Sequence, residues 1–438
     1  MENELANASR EELLEIIETL LARVAALEAE NAQLRGKGGG APVWVKANRP
    51  KRAKQPRKPR QQGHVRKLET PTEVQEHALE VGPDCGRKLS GGWEHGRRQV
   101  IEITLPQVRV IEHRSVARYC GVCRKRWRPK ISDAELGVEG KRRFGVGVQS
   151  LVASLHIAGR LPIRIIRQLL AELCGLQISA GEIIALLDGV ATAGQQQLAR
   201  LQEEIRGSPV VCTDETGWRE DGCNGYLWSF STPTLRYFRF RRSRARKVAE
   251  EVMGEAFAGV TVSDFYAAYN QLPGEHQRCW AHLLRDLHTL KEEQAKSAAV
   301  AAWTEAVAAV YGRATAFTDA RPKARRQAQL NFERELAKLA QPYRSCAAAP
   351  QRRLAQRIYR FRQELFRFVA DPRVPATNNL AERTLRPPVI ARKISGGTRS
   401  PKGSATHTAL MSLFGTWAAQ GQNLIASCQS LLLASTTA

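Results

Sequence analysis

The spacing of apolar residues near the start of the chain predicts an amphipathic helix. Its apolar stripe advances in alternating steps of four and three residues through Leu13, Ile17, Leu20, Val24, Leu27, Asn31 and Leu34. This is the heptad pattern of a coiled coil, in which the single polar Asn31 would fix the register of two parallel strands. We therefore predict a coiled coil over residues 8–35 that makes the chain a homodimer or a larger oligomer. A helix that packs on its own domain is the alternative.

After residue 207 the pattern changes to that of β-strands. The predicted strands cover residues 210–213, 225–230, 235–240 and 259–263, and a helix lies between the third and the fourth. This order of elements is typical of a ribonuclease-H-like α/β core, in which the first and fourth strands are neighbours. Asp214 follows the first strand and Asp264 follows the fourth, so their carboxylates should lie side by side. Glu215 competes with Asp214 for this role.

Helical periodicity dominates the segments on both sides of this core. Residues 143–206 are predicted to form a helical DNA-binding segment, with a plain helical bundle as the alternative. Residues 291–370 are rich in Ala, Arg, Gln, Glu and Leu and are predicted to form an all-α insertion. The insertion would divide the catalytic core into residues 207–290 and 371–404. A C-terminal helix and tail, 405–438, would follow.

The charge of the chain indicates a polyanionic partner. It carries 67 Lys and Arg against 43 Asp and Glu, a net charge of +24, and nucleic acid is the commonest polyanion. Residues 36–70 are predicted to be a disordered basic linker, because the stretch from Gly36 to Lys67 has no acidic residue. Its candidate contacts to DNA phosphates are Lys51, Arg52, Lys54, Arg57, Lys58 and Arg60. A solvated basic tail is the alternative.

Cysteines between the linker and the helical segment indicate a small β module over residues 71–132. Cys120 and Cys123 form a Cys-x-x-Cys knuckle, and Cys85 lies upstream, so a structural zinc site has three candidate ligands. Gly82 stands where a second Cys-x-x-Cys pair would have its first thiolate. Two histidines could supply the missing ligand, His77 and His95. A module that folds without zinc is an equal alternative.

A third carboxylate completes the predicted chemistry. Glu382 lies on a helix predicted to begin at Thr377 and to end at Pro387, with Arg383 and Arg386 close by for the DNA backbone. Two divalent metal ions held by three carboxylates can clamp the attacking and leaving oxygens of a phosphodiester. Magnesium, or manganese in its place, suits such oxygen ligands.

Four blocks of sequence resemble the transposases of insertion sequence family sixty-six. They are Thr213–Trp218, Asp264–Tyr269, Cys279–Arg285 and Asn378–Pro387. The resemblance implies a DDE transposase in which Asp214, Asp264 and Glu382 form the triad, magnesium is the cofactor, and the element's terminal inverted repeats are the double-stranded DNA substrate. It also implies accessory proteins from the same element. The motif residues Trp218, Cys279, His282 and Arg285 are expected near the site, where Cys279 and His282 would position other groups.

Other totals limit where the protein acts. No run of 18 apolar residues and no signal peptide is present, so we expect a bacterial cytoplasmic, nucleoid-associated protein without membrane contact. Its nine cysteines do not indicate a disulfide framework. Two rival hypotheses remain beside the transposase. One is a catalytically inactive DNA-binding remnant or regulator, and the other is a two-metal nuclease that cuts DNA without joining it.

Overall fold

A computed structural model describes residues 18–19, 22–26, 28, 70–92, 94–95, 97–101, 107–138 and 142–436. The chain divides into two units, residues 1–102 and 103–438. The described residues of the predicted coiled coil are helical and exposed, and Val24 is 50% exposed. The rest of the coiled coil lies outside the described residues, as do residues 36–69 of the linker with its six candidate DNA contacts.

In the first unit, Cys85 lies exposed in a tight turn. The Gly86 N–H donates to the Gly82 carbonyl at 2.8 Å, and the Gly82 N–H donates to the Arg87 carbonyl at 2.9 Å. A Cβ atom added at Gly82 would lie 3.1 Å from Cys85 Sγ. The turn therefore faces position 82 towards the thiol, as a Cys-x-x-Cys knuckle would, but glycine supplies no ligand there.

In the second unit, Cys120 and Cys123 lie in an antiparallel hairpin of β1 (Arg118–Cys120) and β2 (Lys125–Trp127). Hydrogen bonds from the backbone N–H and the thiol of Cys123 lower the pKa of Cys120, as thiolate formation in a knuckle requires. The β module predicted over residues 71–132 has strands in this hairpin, but its apolar stretch at residues 107–117 forms no strand. The apolar side chains there have no facing layer, and Val110 is 93% exposed.

The helical segment consists of α1 to α5: Asp133–Leu136, Val146–Ile157, Ile163–Cys174, Ala180–Ala193 and Gln195–Arg206. Gly175, in the left-handed region at φ 65°, ends α3, and Ser179 begins α4 with the expected capping box to Glu182. The helices α4 and α5 follow one another with a single residue between them. Gly194 divides them at a close contact, since a Cβ there would lie 2.5 Å from Leu413.

A five-stranded mixed sheet follows, in the spatial order β5-β4-β3-β6-β7. Its strands are β3 to β7: Val210–Glu220, Cys223–Ser231, Arg236–Arg241, Val260–Ser263 and Glu275–Arg278. β3, β4 and β5 form an antiparallel meander, whereas β6 pairs parallel with both β3 and β7. Helix α6, Lys247–Met253, connects β5 to β6 as predicted. β3 does not end at Asp214 as expected, because pairing with β4 extends it to Glu220.

The next five helices build a hydrophobic core of their own. They are α7 to α11: Trp280–Glu293, Ala298–Thr315, Pro322–Ala340, Ala349–Phe361 and Arg367–Ala370. Trp280, Trp303 and Phe366 are buried in this core. Aromatic and aliphatic side chains from helices that are distant in sequence therefore form a core that is separate from the cores on the two faces of the sheet.

Three further helices close the chain: α12 (Asn379–Ser395), α13 (Pro401–Ala419) and α14 (Leu424–Thr436). The prediction that Pro387 ends its helix is wrong, because α12 continues through Pro387 and Pro388. Both lack an N–H donor, but burial of Leu385 and Pro388 holds this part of the helix in place. The single predicted C-terminal helix is two helices, separated by a turn at Gly421 with φ 70°.

The two faces of the sheet are covered by different helices. On one face, Cys212 and Val262 pack against Ala381 of α12. On the other face, Val211 and Trp228 belong to the core formed with α2 to α5, α13 and α14. No helix in the described part of the chain is long and apolar enough to cross a membrane. The face covered by α12 is the one on which the candidate carboxylates lie.

Candidate active site

The strand register places Asp214 and Asp264 at the same level of the sheet. In the parallel pair of β3 and β6, Cys212 is opposite Val262. Asp214 lies two residues further along β3, and Asp264 lies two residues beyond Val262, directly after β6 ends at Ser263. A step of two residues in an extended chain returns a side chain to the same face. Both carboxylates therefore lie on the face covered by α12, on adjacent strands whose usual spacing is about 4.8 Å.

Glu382 reaches this edge of the sheet from the first turn of α12. The preceding residue, Ala381, is buried against Cys212 and Val262, so it fixes the start of α12 over β3 and β6. Glu382 Oε1 lies 3.8 Å from Nδ1 of His282. The His282 imidazole also interacts with the charges of Asp214 and Asp264. His282 therefore connects the three candidate carboxylates electrostatically.

The three carboxylates nevertheless do not form one compact set of ligands. In the described residues, one group of three potential metal ligands has atoms within 4.8 Å of one another: Cys279, His282 and Glu382. Asp214 and Asp264 are outside that group. The structure thus brings the two aspartates together on the sheet and places Glu382 beside His282 and Cys279.

Asn378 connects the three elements that carry these residues. Its side-chain Nδ2 donates to the Thr213 carbonyl at 2.8 Å, next to Asp214 on β3. Its backbone N–H donates to Cys279 Sγ at 3.1 Å. The Trp280 N–H donates in turn to the Ala376 carbonyl at 3.1 Å, so the starts of α7 and α12 are joined twice. Asn378 is fully buried, which makes these hydrogen bonds costly to lose.

Asp214 and Glu215 have different environments. Glu215 accepts hydrogen bonds from Arg244, at 2.8 and 2.6 Å, and from the Tyr269 hydroxyl. The Arg244 guanidinium is also stacked on the Tyr266 ring at 3.8 Å. Asp214 accepts one hydrogen bond, from the Glu215 N–H at 2.9 Å. Glu215 is thus occupied by a structural network, whereas Asp214 keeps oxygen lone pairs for a ligand.

Asp264 is held by a residue that the sequence interpretation did not single out. The Tyr266 N–H donates to Asp264 Oδ1 at 2.8 Å. The fully buried Arg278, at the end of β7, donates to the Asp264 carbonyl at 2.9 Å and to Glu364 at 2.6 Å. Arg278 therefore connects the turn of Asp264 to the helical insertion. A basic residue at the end of a predicted buried strand was the available signal.

A known protein family matches this part of the chain. The sequence model described as "Transposase IS66 family" covers residues 141–406, more than half of the chain, and includes all three candidate carboxylates. The chain belongs to this family. A relative is the uncharacterized protein y4qI of Sinorhizobium fredii (strain NBRC 101917 / NGR234). It is 27% identical over 434 residues, which cover 84% of this chain and 72% of the relative.

Family membership confirms the resemblance predicted from the four sequence blocks. It makes the protein a transposase, an enzyme of the nuclease and transferase kind whose substrate is DNA. DDE transposases generally use divalent metal ions, so the family also implies a metal cofactor.

The remaining predicted residues of the transposase lie in several environments. Trp218 is 3% exposed, stacks on His407 with ring centroids 4.9 Å apart, and belongs to the core. Arg285, Arg383 and Arg386 are exposed. Several arginines of the helical insertion have partners within the chain. Arg357 pairs with Asp286, Arg367 pairs with Glu275, and Arg352 and Arg362 donate to backbone carbonyls.

Burial and the neighbouring carboxylates change the ionisation of Asp214. Burial, together with the charges of Glu215 and Asp264, raises the pKa of Asp214 to about 7. Burial also raises the pKa of Glu215. In the metal-free transposase, a large fraction of Asp214 therefore carries a proton near neutral pH.

Replacing Asp214 by Asn should stabilise the metal-free protein at alkaline pH. The folded-state pKa of about 7 exceeds the ordinary aspartate pKa of 3.8, so wild-type stability falls as pH rises through this window. The full difference corresponds to about 4 kcal/mol, and partial solvent access makes the real effect smaller. Thermal unfolding with a chelator present should show the gain of Asp214→Asn growing from pH 4.5 to pH 8. Asp221→Asn, in an exposed turn, is the control, and an equal gain at both pH values would contradict the assignment.

Replacing Asn378 by Ala should destabilise the fold at the point where β3, α7 and α12 meet. Loss of the bond to Thr213 leaves a buried carbonyl without its donor, at a cost of about 1–3 kcal/mol. Chemical denaturation should show this loss. Asn331→Ala, at an exposed position on α9, should have little effect. An unchanged free energy of unfolding for Asn378→Ala would show that the connection is unimportant.

Proposed function

We propose that this protein cuts the ends of a bacterial insertion sequence and joins them to target DNA, with Asp214, Asp264 and Glu382 as its metal-binding carboxylates. The observation that carries the proposal is the shared level of Asp214 and Asp264 on two parallel strands, with α12 and its Glu382 packed over the same face. Family membership supports the reaction, and the geometry supports the choice of residues.

A ribonuclease-H-like core accounts for the sheet. An antiparallel meander of three strands, a helix and two parallel strands in the order β5-β4-β3-β6-β7 is the arrangement expected of that core. The helices α7 to α11 would then be the all-α insertion, and α12 would return to the core with the third carboxylate. The proposed core covers residues 207–290 and 371–404, around an insertion at 291–370.

The donor atoms at this edge of the sheet fit a hard divalent cation. Asp214 and Asp264 offer carboxylate oxygens, and the buried Glu382 Oε1 has no hydrogen-bond partner. Magnesium or manganese prefers such ligands. A pair of ions would lie roughly 3.5–4 Å apart, so their ligands need not all converge on one point. The separation of Glu382 from the two aspartates would suit such a pair better than a single ion. Bound in this way, they would activate a nucleophilic oxygen and stabilise the leaving oxygen.

Residues of the chain itself would hold the reacting groups in place. Asp264 is oriented by the Tyr266 N–H and by Arg278 behind its carbonyl. Arg383 and Arg386, exposed on α12 one and four residues beyond Glu382, could bind the DNA backbone next to the scissile bond. We propose no covalent bond between protein and DNA, because activated water and the freed 3′-hydroxyl suffice as nucleophiles.

The N-terminal segments would assist by binding DNA and a second copy of the chain. We propose that residues 8–35 dimerise, that residues 36–70 neutralise phosphates, and that residues 71–132 form a small module. Cys85, Cys120 and Cys123 would supply three ligands for a zinc ion in this module, and Gly82 offers none. Accessory proteins of the same element remain candidate partners.

Residues 143–206 are proposed to contact DNA through α3 and α4. Between these helices lies a groove of about 680 Å³, lined by residues that include Arg164, Arg167, Gln168 and Ser179. Arg164 and Arg167 are exposed on α3. Two cations beside a polar groove are suited to the phosphate backbone, whose contacts position a protein without reading sequence.

Conservative substitution of each proposed triad member should abolish chemistry and leave DNA binding intact. Asp214→Asn, Asp264→Asn and Glu382→Gln should each reduce magnesium-dependent cleavage and joining by more than about a hundredfold. Loss of groups that only orient metal ligands already costs about 10- to 100-fold. The assay uses labelled duplex carrying the element's own end, with binding followed by gel shift.

Two matched controls sharpen this experiment. Glu215→Gln tests the neighbouring carboxylate, and Asp221→Asn tests an exposed one; both should lose less activity than the triad variants. A wild-type protein that binds the end but neither cuts nor joins it, even with the element's other proteins, would overturn the proposal in favour of an inactive remnant. A trapped covalent protein–DNA adduct would overturn the mechanism.

Replacing Arg164 and Arg167 together by Ala should weaken DNA binding uniformly across sequences. Each lost phosphate contact should reduce the slope of log K against log salt by about 1. Binding to several duplexes at a series of salt concentrations measures this slope. Arg313→Ala, which removes an arginine paired with Glu335, is the control. An unchanged slope in the double variant would exclude α3 from the DNA interface.

A further inference from the structure

Cys279 and His282 lie together at the start of α7. Cys279 caps the helix and His282 follows three residues later, a spacing that puts both side chains on one helix face. Glu382, in the first turn of α12, faces them. One potential ligand atom from each residue lies within 4.8 Å of the others, and no other three His, Cys, Asp or Glu residues in the described parts of the chain converge so closely.

Two buried atoms in this cluster lack partners. His282 Nδ1 and Glu382 Oε1 are both shielded from solvent and make no hydrogen bond. They lie 3.8 Å apart, which is within ion-pair range for a protonated His282 but too long for a hydrogen bond. The His282 imidazole also interacts with the Cys279 thiol. Burying two unsatisfied polar atoms is unfavourable. A cation bound by both atoms would satisfy them at once.

The third candidate ligand is the thiol of Cys279. Cys279 is fully buried, and its sulfur accepts the Asn378 backbone N–H at 3.1 Å. This hydrogen bond fixes the position of the sulfur beside His282 and Glu382. Sulfur, imidazole nitrogen and carboxylate oxygen together form a ligand set suited to zinc, whereas magnesium prefers oxygen ligands throughout.

We propose that Cys279, His282 and Glu382 bind a zinc ion, with a fourth coordination position open. Ligands of a tetrahedral zinc ion lie about 3.5 Å apart. The observed 3.8 Å between His282 and Glu382 is close to that value, and the remaining separations need to close by about 1 Å at most. The site differs from the proposed magnesium site in its soft ligand and shares one carboxylate with it.

Because Glu382 belongs to both sites, zinc should affect cleavage. This expectation rests on the proposed function. One carboxylate that coordinates zinc beside Cys279 is withdrawn from a magnesium ion beside the aspartates. Zinc should therefore inhibit magnesium-dependent cleavage by competing for Glu382. Excess magnesium should relieve the inhibition only partly, because it competes with zinc for Glu382 but not for the sulfur of Cys279.

Cobalt(II) titration of the full-length chain tests the site. Cobalt(II) replaces zinc and reports thiolate ligation by a charge-transfer absorption band. The protein carries Cys85→Ser, Cys120→Ser and Cys123→Ser, which removes the knuckle cysteines. We expect one equivalent of cobalt to bind with this band, zinc to displace it, and millimolar magnesium to leave it in place. Cys279→Ala should abolish the band, and His282→Asn should weaken cobalt binding by more than about tenfold.

Matched variants distinguish a lost ligand from a damaged fold. Cys428→Ala removes another fully buried cysteine and should keep the band, and thermal unfolding identifies any variant that fails to fold. If Cys279→Ala does not fold, His282→Asn provides the test. Absence of the band, or its persistence at full strength in Cys279→Ala and His282→Asn, would overturn the zinc site.

The failure of this inference can be separated from a failure of the proposed function. Asp264→Asn should lose cleavage but keep the cobalt band, because Asp264 is not among the three ligands. A band without cleavage in any protein would keep the zinc site and reject the transposition chemistry. Cleavage that is insensitive to zinc despite the band would reject the sharing of Glu382.

Discussion

Repulsion between carboxylates is the constraint on which this arrangement depends. Asp214 and Asp264 are level on adjacent parallel strands, and Glu215 adds a third negative charge next to them. Burial first, and then the charges of Glu215 and Asp264, raise the pKa of Asp214 to about 7, so part of this repulsion is relieved by a proton near neutral pH. Arg244 and Tyr269 neutralise and hold Glu215, while backbone N–H groups orient the two aspartates. The charge of Glu215 is therefore neutralised within the protein. In the described part of the chain, the charges of Asp214 and Asp264 have no such partner and remain available to a metal ion.

Such a site needs support from outside the sheet. Asp214 and Asp264 are aligned by strand pairing alone, but Glu382 follows more than a hundred residues after Asp264. Asn378 holds the start of α12, which carries Glu382, against the sheet. It makes one hydrogen bond to β3 and one to the sulfur of Cys279. Arg278 performs a similar task for Asp264 by joining its carbonyl to Glu364 in the helical insertion. The insertion is therefore connected to the turn of Asp264 through hydrogen bonds of Arg278.

The local parts of this structure could be predicted from the sequence, and the non-local parts could not. Strand and helix order after residue 207, the capping box of Ser179, and the pairing of Asp214 with Asp264 follow from periodicity and strand order. The length of β3 depends on β4, and the continuation of α12 through Pro387 depends on burial against the sheet. A proline in an isolated helix would end it. The contacts of Asn378 and Arg278 span 165 and 86 residues, a separation at which local spacing carries no signal.

The same charges explain how the proposed substrate and its metal ions depend on each other. A net charge of +24 attracts DNA to the molecule as a whole, yet the carboxylate edge of the sheet repels a phosphodiester. Divalent cations reverse the local sign, and the phosphate supplies further oxygen ligands for them. Each partner therefore raises the affinity for the other by the same factor, as linkage requires. In the proposed mechanism, the carboxylates, with cations such as Arg383 and Arg386 beside them, would make cleavage conditional on both partners being bound.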